Sequence, residues 1–256
     1  MAPLHGIGVL VTRPEQQAPL LCQLLEAQGA TTLRLAAIEI TPILEAHARF
    51  AALEAFDIIL FTSANAVRHG IPALQRRGYS TLAALGPATA RALSEQGYEV
   101  TLQPERGYTS EALLAHPMLE HLTGRRVLLI KGAEGRQLLE ARLTQRGATV
   151  VAIDVYRRVA ASPSAADFAA VQAGFVAGRL QVITATSLDV GKRLLDIVPD
   201  ELRAQMQKAV WVVPGERVAA GLRDLGLEAR MLKAASAEDQ DLVAALVRWR
   251  SSESKA

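Results

Sequence analysis

The sequence has almost no cysteine and no long apolar run. Cys22 is the single cysteine among 256 residues, so the chain can form neither an internal disulfide nor a metal site built from several cysteines. Such usage is typical of a reducing compartment. No uncharged apolar stretch reaches the ~18 residues of a membrane helix, and residues 1–11 have no basic start typical of a signal peptide. We therefore expect a cytoplasmic protein with no membrane contact.

The chain also lacks an excess of charge of one sign. Its 28 lysines and arginines oppose 26 aspartates and glutamates, for a net charge of +2, and the basic residues are scattered. Nucleic-acid-binding domains usually concentrate positive charge on one face, so we expect no nucleic acid partner. Half of the residues are apolar, which suffices for one large or two small domains.

Several catalytic motifs are absent as well. The sequence contains no phosphate-binding loop and no dinucleotide-binding glycine pattern. It has no Gly-x-Ser-x-Gly turn, and its acidic residues do not pair for acid–base chemistry. The histidines lack metal-ligand spacing, so we predict no metal site and expect all five at the surface: His5, His47, His69, His116 and His121.

What the sequence does contain is an alternation of short apolar runs with amphipathic segments that end at glycine. This pattern is typical of strand–helix units in a mostly parallel sheet and predicts an α/β fold. The predicted strands are 7–11, 57–61, 82–85, 127–130, 182–185, 210–213 and 229–232. The predicted helices are 16–28 with Pro19 in its first turn, 64–77, 88–96, 135–146, 188–196, 216–224 and 238–249. A further helix opens after Ser162 or Ser164, either of which could cap it.

The chain also repeats itself. Residues 9–31 match 127–149, residues 57–63 match 181–187, and residues 86–97 match 215–226, in the same order. This indicates a duplication and predicts two similar α/β domains. Segments 36–42 and 154–160, one repeat length apart, are expected to be extended connectors between the domains.

Candidate binding residues lie in the turns that follow the predicted strands. Parallel sheets bind ligands at the carboxyl ends of their strands, beside helix starts that favour anions. Each residue also has a purely structural explanation, as a surface cation, a helix cap or a turn glycine. The candidates for anion binding are Arg13, Ser63, Gly86, Thr89, Lys131, Ser187, Gly215 and Arg217. Tyr156, in the second connector, could donate a proton or hydrogen bond to a ligand, or only pack.

Together these segments resemble the uroporphyrinogen-III synthase family. The resemblance spans nearly the whole chain in order and rests on VTRP at 11–14, FTSANAV at 61–67, GPATA at 86–90, TSEAL at 109–113, Gly132 with Gly135, Arg136 and Leu139, and VYRR at 155–158. It implies two parallel-sheet α/β domains joined by two extended connectors, with the first strand–helix unit of each repeat completing the other sheet. Residues 1–37 with 160–256 would form one domain, and residues 40–156 the other. The repeats alone equally permit two consecutive domains divided near Leu122.

The resemblance implies that the protein closes hydroxymethylbilane, a linear tetrapyrrole, to uroporphyrinogen III in haem biosynthesis. The last pyrrole ring is inverted, water is lost and no cofactor is required. By resemblance Tyr156 is the catalytic candidate, and Ser63, Thr89 and Ser187 bind substrate. The sequence departs from the family at 216–218, where Glu-Arg-Val replaces a hydroxyl-bearing turn, and at Lys131, where an arginine is usual.

Two other functions remain open at this stage. A non-catalytic, hinged two-domain module that binds small anions would share the duplication and the connectors. A phosphosugar or nucleotide enzyme is disfavoured by the missing phosphate motif. For the synthase we expect a monomer, and the resemblance allows a transient contact with the upstream hydroxymethylbilane synthase.

Overall fold

A computed structural model describes residues 2–71, 74, 79, 81–135 and 137–253, apart from the side chain of His47. In this part of the chain the α/β class is confirmed. Met1, Arg77, Arg136 and Ala256, which the sequence predictions included, lie outside the described residues. The fold divides into two compact units, Met1–Glu39 with Val159–Ala256, and Ile40–Arg158.

The first unit is built on one parallel sheet. Its strands are β1 Gly8–Val11, β2 Thr31–Arg34, β8 Val182–Thr184, β9 Val210–Pro214 and β10 Met231–Ala234. They lie in the order β10-β9-β8-β1-β2, and all four neighbouring pairs are parallel. Its helices are α1 Ala18–Ala27, α7 Ala165–Val176, α8 Leu188–Ile197, α9 Asp200–Met206, α10 Gly215–Asp224 and α11 Asp239–Glu253.

The second unit repeats this plan. Its strands are β3 Ile38–Pro42, β4 Ile58–Phe61, β5 Thr81–Ala84, β6 Arg126–Gly132 and β7 Thr149–Ala160, in the order β3-β7-β6-β4-β5. Its helices are α2 Glu45–Ala51, α3 Ala64–Gly70, α4 Pro87–Ser94, α5 Ser110–Leu114 and α6 Leu138–Gln145. Leu102 forms a parallel bridge to Ala83 where the first sheet has β10 beside β9.

Burial along the strands agrees with most of the strand order. The interior strands β1 and β4, which have a neighbour on each side, are buried at every residue, as their unbroken apolar sequences predict. Three of the four edge strands, β2, β3 and β10, are largely exposed or half-buried and mix polar with apolar residues. The fourth, β5, is buried at every residue and has Leu102 bridged beside it. Polar side chains on an edge suit a strand with only one neighbour.

The two predicted connectors are strands that pair with each other. Residues 36–42 contain β3, and residues 154–160 form the second half of β7. The N–H of Ile43 donates to the carbonyl of Val155, and the N–H of Ala161 donates to the carbonyl of Ala37. Because the partners run in reverse order, this ribbon is antiparallel.

Element ends differ from the sequence predictions in several places. Helix α6 begins at Leu138 rather than at residue 135, and α11 continues to Glu253 rather than ending at residue 249. Ser164, not Ser162, caps α7, in a reciprocal capping box with Asp167. Pro19 lies in the first turn of α1, as predicted.

Candidate active site

Two predicted site residues that are far apart in the sequence, Tyr156 and Ser63, lie in direct contact. Tyr156 lies on β7 and is 3% exposed. Its phenolic oxygen is 3.1 Å from Oγ of Ser63. Ser63 follows β4 and caps α3, because its Oγ accepts a hydrogen bond of 3.0 Å from the N–H of Ala66. The structure thus brings together one residue predicted in a connector and one predicted in a strand-end turn.

An irregularity in the sheet sets the position of Tyr156. In the β6–β7 ladder Lys131 is opposite Asp154, but the next residue, Gly132, is opposite Tyr156, so Val155 is an extra residue. Such a bulge redirects the side chain that follows it. The phenol of Tyr156 consequently lies directly against Gly132.

His69 is a neighbour that the sequence prediction missed. It lies on α3, is half-buried, and its ring centroid is 6.1 Å from that of Tyr156. His69 is therefore only partly at the surface, where the sequence analysis places it in full. No spacing along the chain marks this contact, because the sheet, not the sequence distance, brings β7 to α3.

The other histidines differ among themselves. His5 and His121 are exposed, as predicted. His116 is half-buried and accepts a hydrogen bond from the N–H of Met118. The side chain of His47 lies outside the described residues.

A second turn of the same unit carries Gly86 and Thr89 at the start of α4. Thr89 is buried, and its hydroxyl makes no hydrogen bond within the described part of the chain. Tyr108, which is 52% exposed, lies against Gly86, where an added methyl group would meet its Cβ at 3.2 Å. Tyr108 is not among the site residues that the sequence predicts, although it directly precedes the run at 109–113.

In the first unit the predicted residues begin two helices. Ser187 caps α8 by accepting a 3.2 Å hydrogen bond from the N–H of Val190. Gly215 is the first residue of α10 and has a φ of 76°, a conformation that favours glycine. Arg217 follows it, is exposed, and has no carboxylate partner among the residues that the structure describes.

Arg13 and Lys131, the two cations predicted from the repeat, are each held by a carboxylate. Arg13 pairs with Asp239 at the start of α11, and the two side chains are 10% and 13% exposed. Nζ of Lys131 lies 2.6 Å from Oδ1 of Asp154, with the lysine side chain 9% exposed. Each positive charge is therefore largely compensated within its own unit before any ligand binds.

Glu216 occupies the position where the sequence departs from the family. Its carboxylate accepts hydrogen bonds of 2.8 Å from Lys233 and 2.9 Å from Arg223. These two cations, Lys233 first, lower the pKa of Glu216 from 4.5 to about 2. Glu216 thus pairs with Lys233 and Arg223 and offsets one of their two positive charges, while the neighbouring Arg217 has no carboxylate partner among the described residues.

The arrangement offers hydroxyl groups and helix starts rather than a metal centre. Within the described ranges no three histidine, cysteine or acidic side chains come together as a metal site would require. In the same ranges no helix has the length and apolar character of a membrane span. The groups suited to chemistry are the phenol of Tyr156 with its serine partner and the helix starts that can bind anions.

Comparisons with known proteins agree on one family. Residues 20–244 match the family model described as "Uroporphyrinogen-III synthase HemD". The uroporphyrinogen-III synthases of Escherichia coli and Salmonella typhimurium are 29% and 30% identical to this chain, in both cases over 92% of this chain and 97% of the relative. Among solved structures, the synthetase of Helicobacter pylori has a TM-score of 0.62 at 16% identity, covering 95% of this chain and 99% of its own. A mutant synthase of Thermus thermophilus has a TM-score of 0.57 at 20% identity, with coverages of 98% and 100%. These two solved structures share the fold.

Proposed function

The chain belongs to the uroporphyrinogen-III synthase family, and on that premise we propose how its residues act on the substrate. The family model, which covers residues 20–244, is the observation that carries the assignment. The protein is an enzyme of haem biosynthesis that cyclises hydroxymethylbilane to uroporphyrinogen III. The non-catalytic anion-binding module is not favoured.

The reaction begins at the hydroxymethyl group of the linear tetrapyrrole. The bond from its carbon to oxygen breaks, the oxygen takes a proton and leaves as water, and an electrophilic azafulvene that is protonated on its nitrogen remains. The substituted carbon of the last ring attacks this carbon to give a spiro intermediate, which opens and recloses through the unsubstituted carbon with the ring inverted. That carbon then loses its proton, which restores the pyrrole and balances the proton taken by the leaving oxygen. Because the substrate also cyclises unaided to the uninverted isomer, the protein must mainly control how a flexible polyanion is folded.

We assign the first proton to the phenol of Tyr156. A phenol is protonated at neutral pH and can donate to the departing oxygen as positive charge develops on the pyrrole. Ser63 already accepts the N–H of Ala66, so its own hydroxyl proton is free to bind the phenolic oxygen. That orientation leaves the proton of Tyr156 for the substrate and stabilises the phenolate that forms. Tyr156 is only 3% exposed. We therefore propose that the substrate approaches the Tyr156–Ser63 pair from the ends of the strands, where Ser63 is partly exposed.

We assign the carboxylates of the substrate to the remaining strand-end turns. Backbone N–H groups at helix starts bind anions, and hydroxyl groups there add donors. The proposed binding residues are Ser63, Gly86, Thr89, Ser187, Gly215 and Arg217. Arg13 and Lys131 would contribute less to binding, because Asp239 and Asp154 already offset their charges.

The organisation around the reaction is part of the same proposal. The two compact units would act as the two domains of a monomer in the cytoplasm, without a cofactor. The hydroxymethylbilane cyclises on its own, so a transient contact with the hydroxymethylbilane synthase that produces it would limit loss to the uninverted isomer.

The test is the isomer formed from fresh substrate. Purified protein is added to hydroxymethylbilane as it is generated enzymatically, and the oxidised porphyrin products are separated by chromatography. We expect isomer III to dominate with the protein, also in the presence of EDTA, and isomer I to dominate with heat-denatured protein. Isomer I in both arms would contradict the assignment, and loss of isomer III with EDTA would contradict the absence of a metal.

A further inference from the structure

Gly132 leaves the space that the phenol of Tyr156 occupies. A methyl group on Gly132 would lie 2.6 Å from Cζ, 2.9 Å from Cε2 and 2.9 Å from the phenolic oxygen of Tyr156. Carbon atoms in contact are normally about 3.5–4.0 Å apart. The φ of Gly132 is outside the left-handed region, so alanine would fit the backbone there. Glycine is therefore required at position 132 because there is no space for a side chain, and not because of its backbone conformation.

The backbone around Tyr156 prevents the ring from avoiding such a methyl group easily. The carbonyl of Tyr156 accepts a 2.9 Å hydrogen bond from the N–H of Ala133, directly after Gly132. The shift of register between Lys131 and Gly132 fixes which residue of β7 faces Gly132. With both strands held in the sheet, the movable part is the tyrosine side chain itself.

A displaced ring would lose its contact with Ser63. Relief of the 2.6 Å contact requires a movement of about 1 Å at the phenol end of the ring. The phenolic oxygen is 3.1 Å from Oγ of Ser63. A movement of about 1 Å away from Ser63 would place the two oxygens about 4 Å apart, which is beyond hydrogen-bonding distance. Ser63 cannot follow readily, because its hydroxyl also caps α3.

We propose that Gly132 is a positioning residue for the cyclisation, which holds the Tyr156 hydroxyl at Ser63 by leaving room for the ring. This inference rests on the proposed role of Tyr156 as the proton donor. It deepens that proposal by naming the residue that sets where the proton is delivered.

The experiment compares Gly132→Ala with Gly174→Ala, a matched control in the first unit. At Gly174 an added methyl group would also be too close to a side chain, 2.7 Å from Cδ1 of Leu180, and Gly174 has no place in the proposed site. We expect Gly132→Ala to lower kcat about 10- to 100-fold, with KM little changed and a larger share of isomer I. Gly174→Ala should lower thermal stability but keep kcat and the isomer ratio.

Two further measurements isolate the positioning role. In protein labelled with ¹³C at tyrosine Cζ, the Tyr156 resonance, assigned by its loss in Tyr156→Phe, should move in Gly132→Ala and stay in Gly174→Ala. In the Tyr156→Phe background, Gly132→Ala should cause no further loss of kcat, because no hydroxyl remains to be misplaced. An unmoved resonance, or an equal loss of kcat in both backgrounds, would overturn the inference.

The design separates this inference from the proposed function. If Tyr156→Phe keeps wild-type turnover, the proposed proton donor is wrong, and the resonance alone decides whether Gly132 places the phenol. If Gly132→Ala fails to fold, Gly132→Ala/Tyr156→Leu provides the test. It should be as stable as Tyr156→Leu if the ring is what the methyl group meets, and unfolded if it is not.

Discussion

Tyr156 is the single residue whose replacement should lower the rate of the reaction most. We predict that Tyr156→Phe lowers kcat about 10²-fold, at the low end of the range for one positioned acid, because the substrate ionises readily without help. The ring and its packing against Gly132 are preserved, so the thermal midpoint should change little. Initial rates and isomer ratios measure the effect. Wild-type values of both would show that Tyr156 only packs.

Ser63 and Thr89 should respond differently to loss of their hydroxyl groups. Ser63→Ala removes the hydrogen-bond partner of Tyr156 and the cap of α3, so kcat should fall about 5-fold and stability by ~1 kcal/mol. The Thr89 hydroxyl makes no bond within the described part of the chain, so Thr89→Ala should raise KM and leave kcat unchanged. Steady-state kinetics separates the two. If only Thr89→Ala lowered kcat, the prediction would be wrong, and Thr89 rather than Ser63 would assist the chemical step.

The sequence identifies candidate site residues better than it identifies their contacts. Ser63 and Tyr156 were both candidates, but their hydrogen bond spans 93 positions and depends on a bulge that no spacing reveals. The carboxylate partner of Arg13 is 226 positions away. Long-range contacts arise from strand pairing. The sequence of a turn therefore shows that a cation is present, but it does not show that a distant carboxylate pairs with that cation.

For the elements, the ion pair of Arg13 and Asp239 gives a prediction about α11. The pair joins the turn after β1 to the first residue of this helix, and both side chains are about nine-tenths buried. Arg13→Met leaves a buried carboxylate without its cation, so we expect the free energy of unfolding to fall by ~2–4 kcal/mol. Urea unfolding measures it.

The control is the ion pair at the other end of the same helix. Arg230 and Glu253 are 57% and 42% exposed, so Arg230→Met should cost no more than ~1 kcal/mol. Arg13→Met/Asp239→Asn should recover part of the lost stability, because no unpaired carboxylate remains. Equal effects of Arg13→Met and Arg230→Met would contradict a buried, structural role for the Arg13 pair.

Glu216 links α10 to Lys233 of β10, and this link should depend on pH. Folding lowers the pKa of Glu216 from 4.5 to about 2. The stabilisation is therefore complete above pH 4.5 and is lost as the pH falls to about 2. The difference in unfolding free energy between wild type and Glu216→Gln should be largest at about pH 6 and vanish near pH 2. Because the carboxylate is exposed, high salt should reduce this difference in unfolding free energy. A difference that does not vary with pH would refute the prediction.

Element by element, burial decides what could be predicted. The buried strands β1 and β4 were evident as unbroken apolar runs, and β8 as a short apolar run that ends in Thr184. Strand β2 was missed, because its sequence Thr-Thr-Leu-Arg at an exposed edge has neither an apolar run nor a clear alternation. Helices α2, α5 and α9 have only five to seven residues, which is too short for the helical period to stand out.

At the scale of the whole molecule, the duplication was visible in the sequence, but the assembly of each sheet was not. The repeats fit equally well whether each sheet uses consecutive elements or exchanges them. The structure pairs β1 with both β2 and β8, so one sheet contains strands from both ends of the chain. Register and hydrophobic pattern set such pairings, and distance along the sequence does not reveal them.

The last prediction concerns how the whole molecule attracts a polyanion while its net charge is only +2. Arg13 and Lys131 are compensated by carboxylates, whereas Arg217 at the start of α10 has none among the described residues. We therefore expect product affinity to weaken as salt rises, through Arg217 and the helix starts, since exposed charges are screened. Arg217→Gln should weaken binding about 2- to 5-fold at low salt, the size of one exposed ion pair, and flatten the salt dependence. The exposed Arg248→Gln makes the same change in net charge on α11 and should leave both unchanged, as isothermal titration at several salt concentrations can measure. An affinity that does not vary with salt, or equal losses in the two variants, would mean that hydrogen bonds or overall charge, and not a local cation at α10, hold the product.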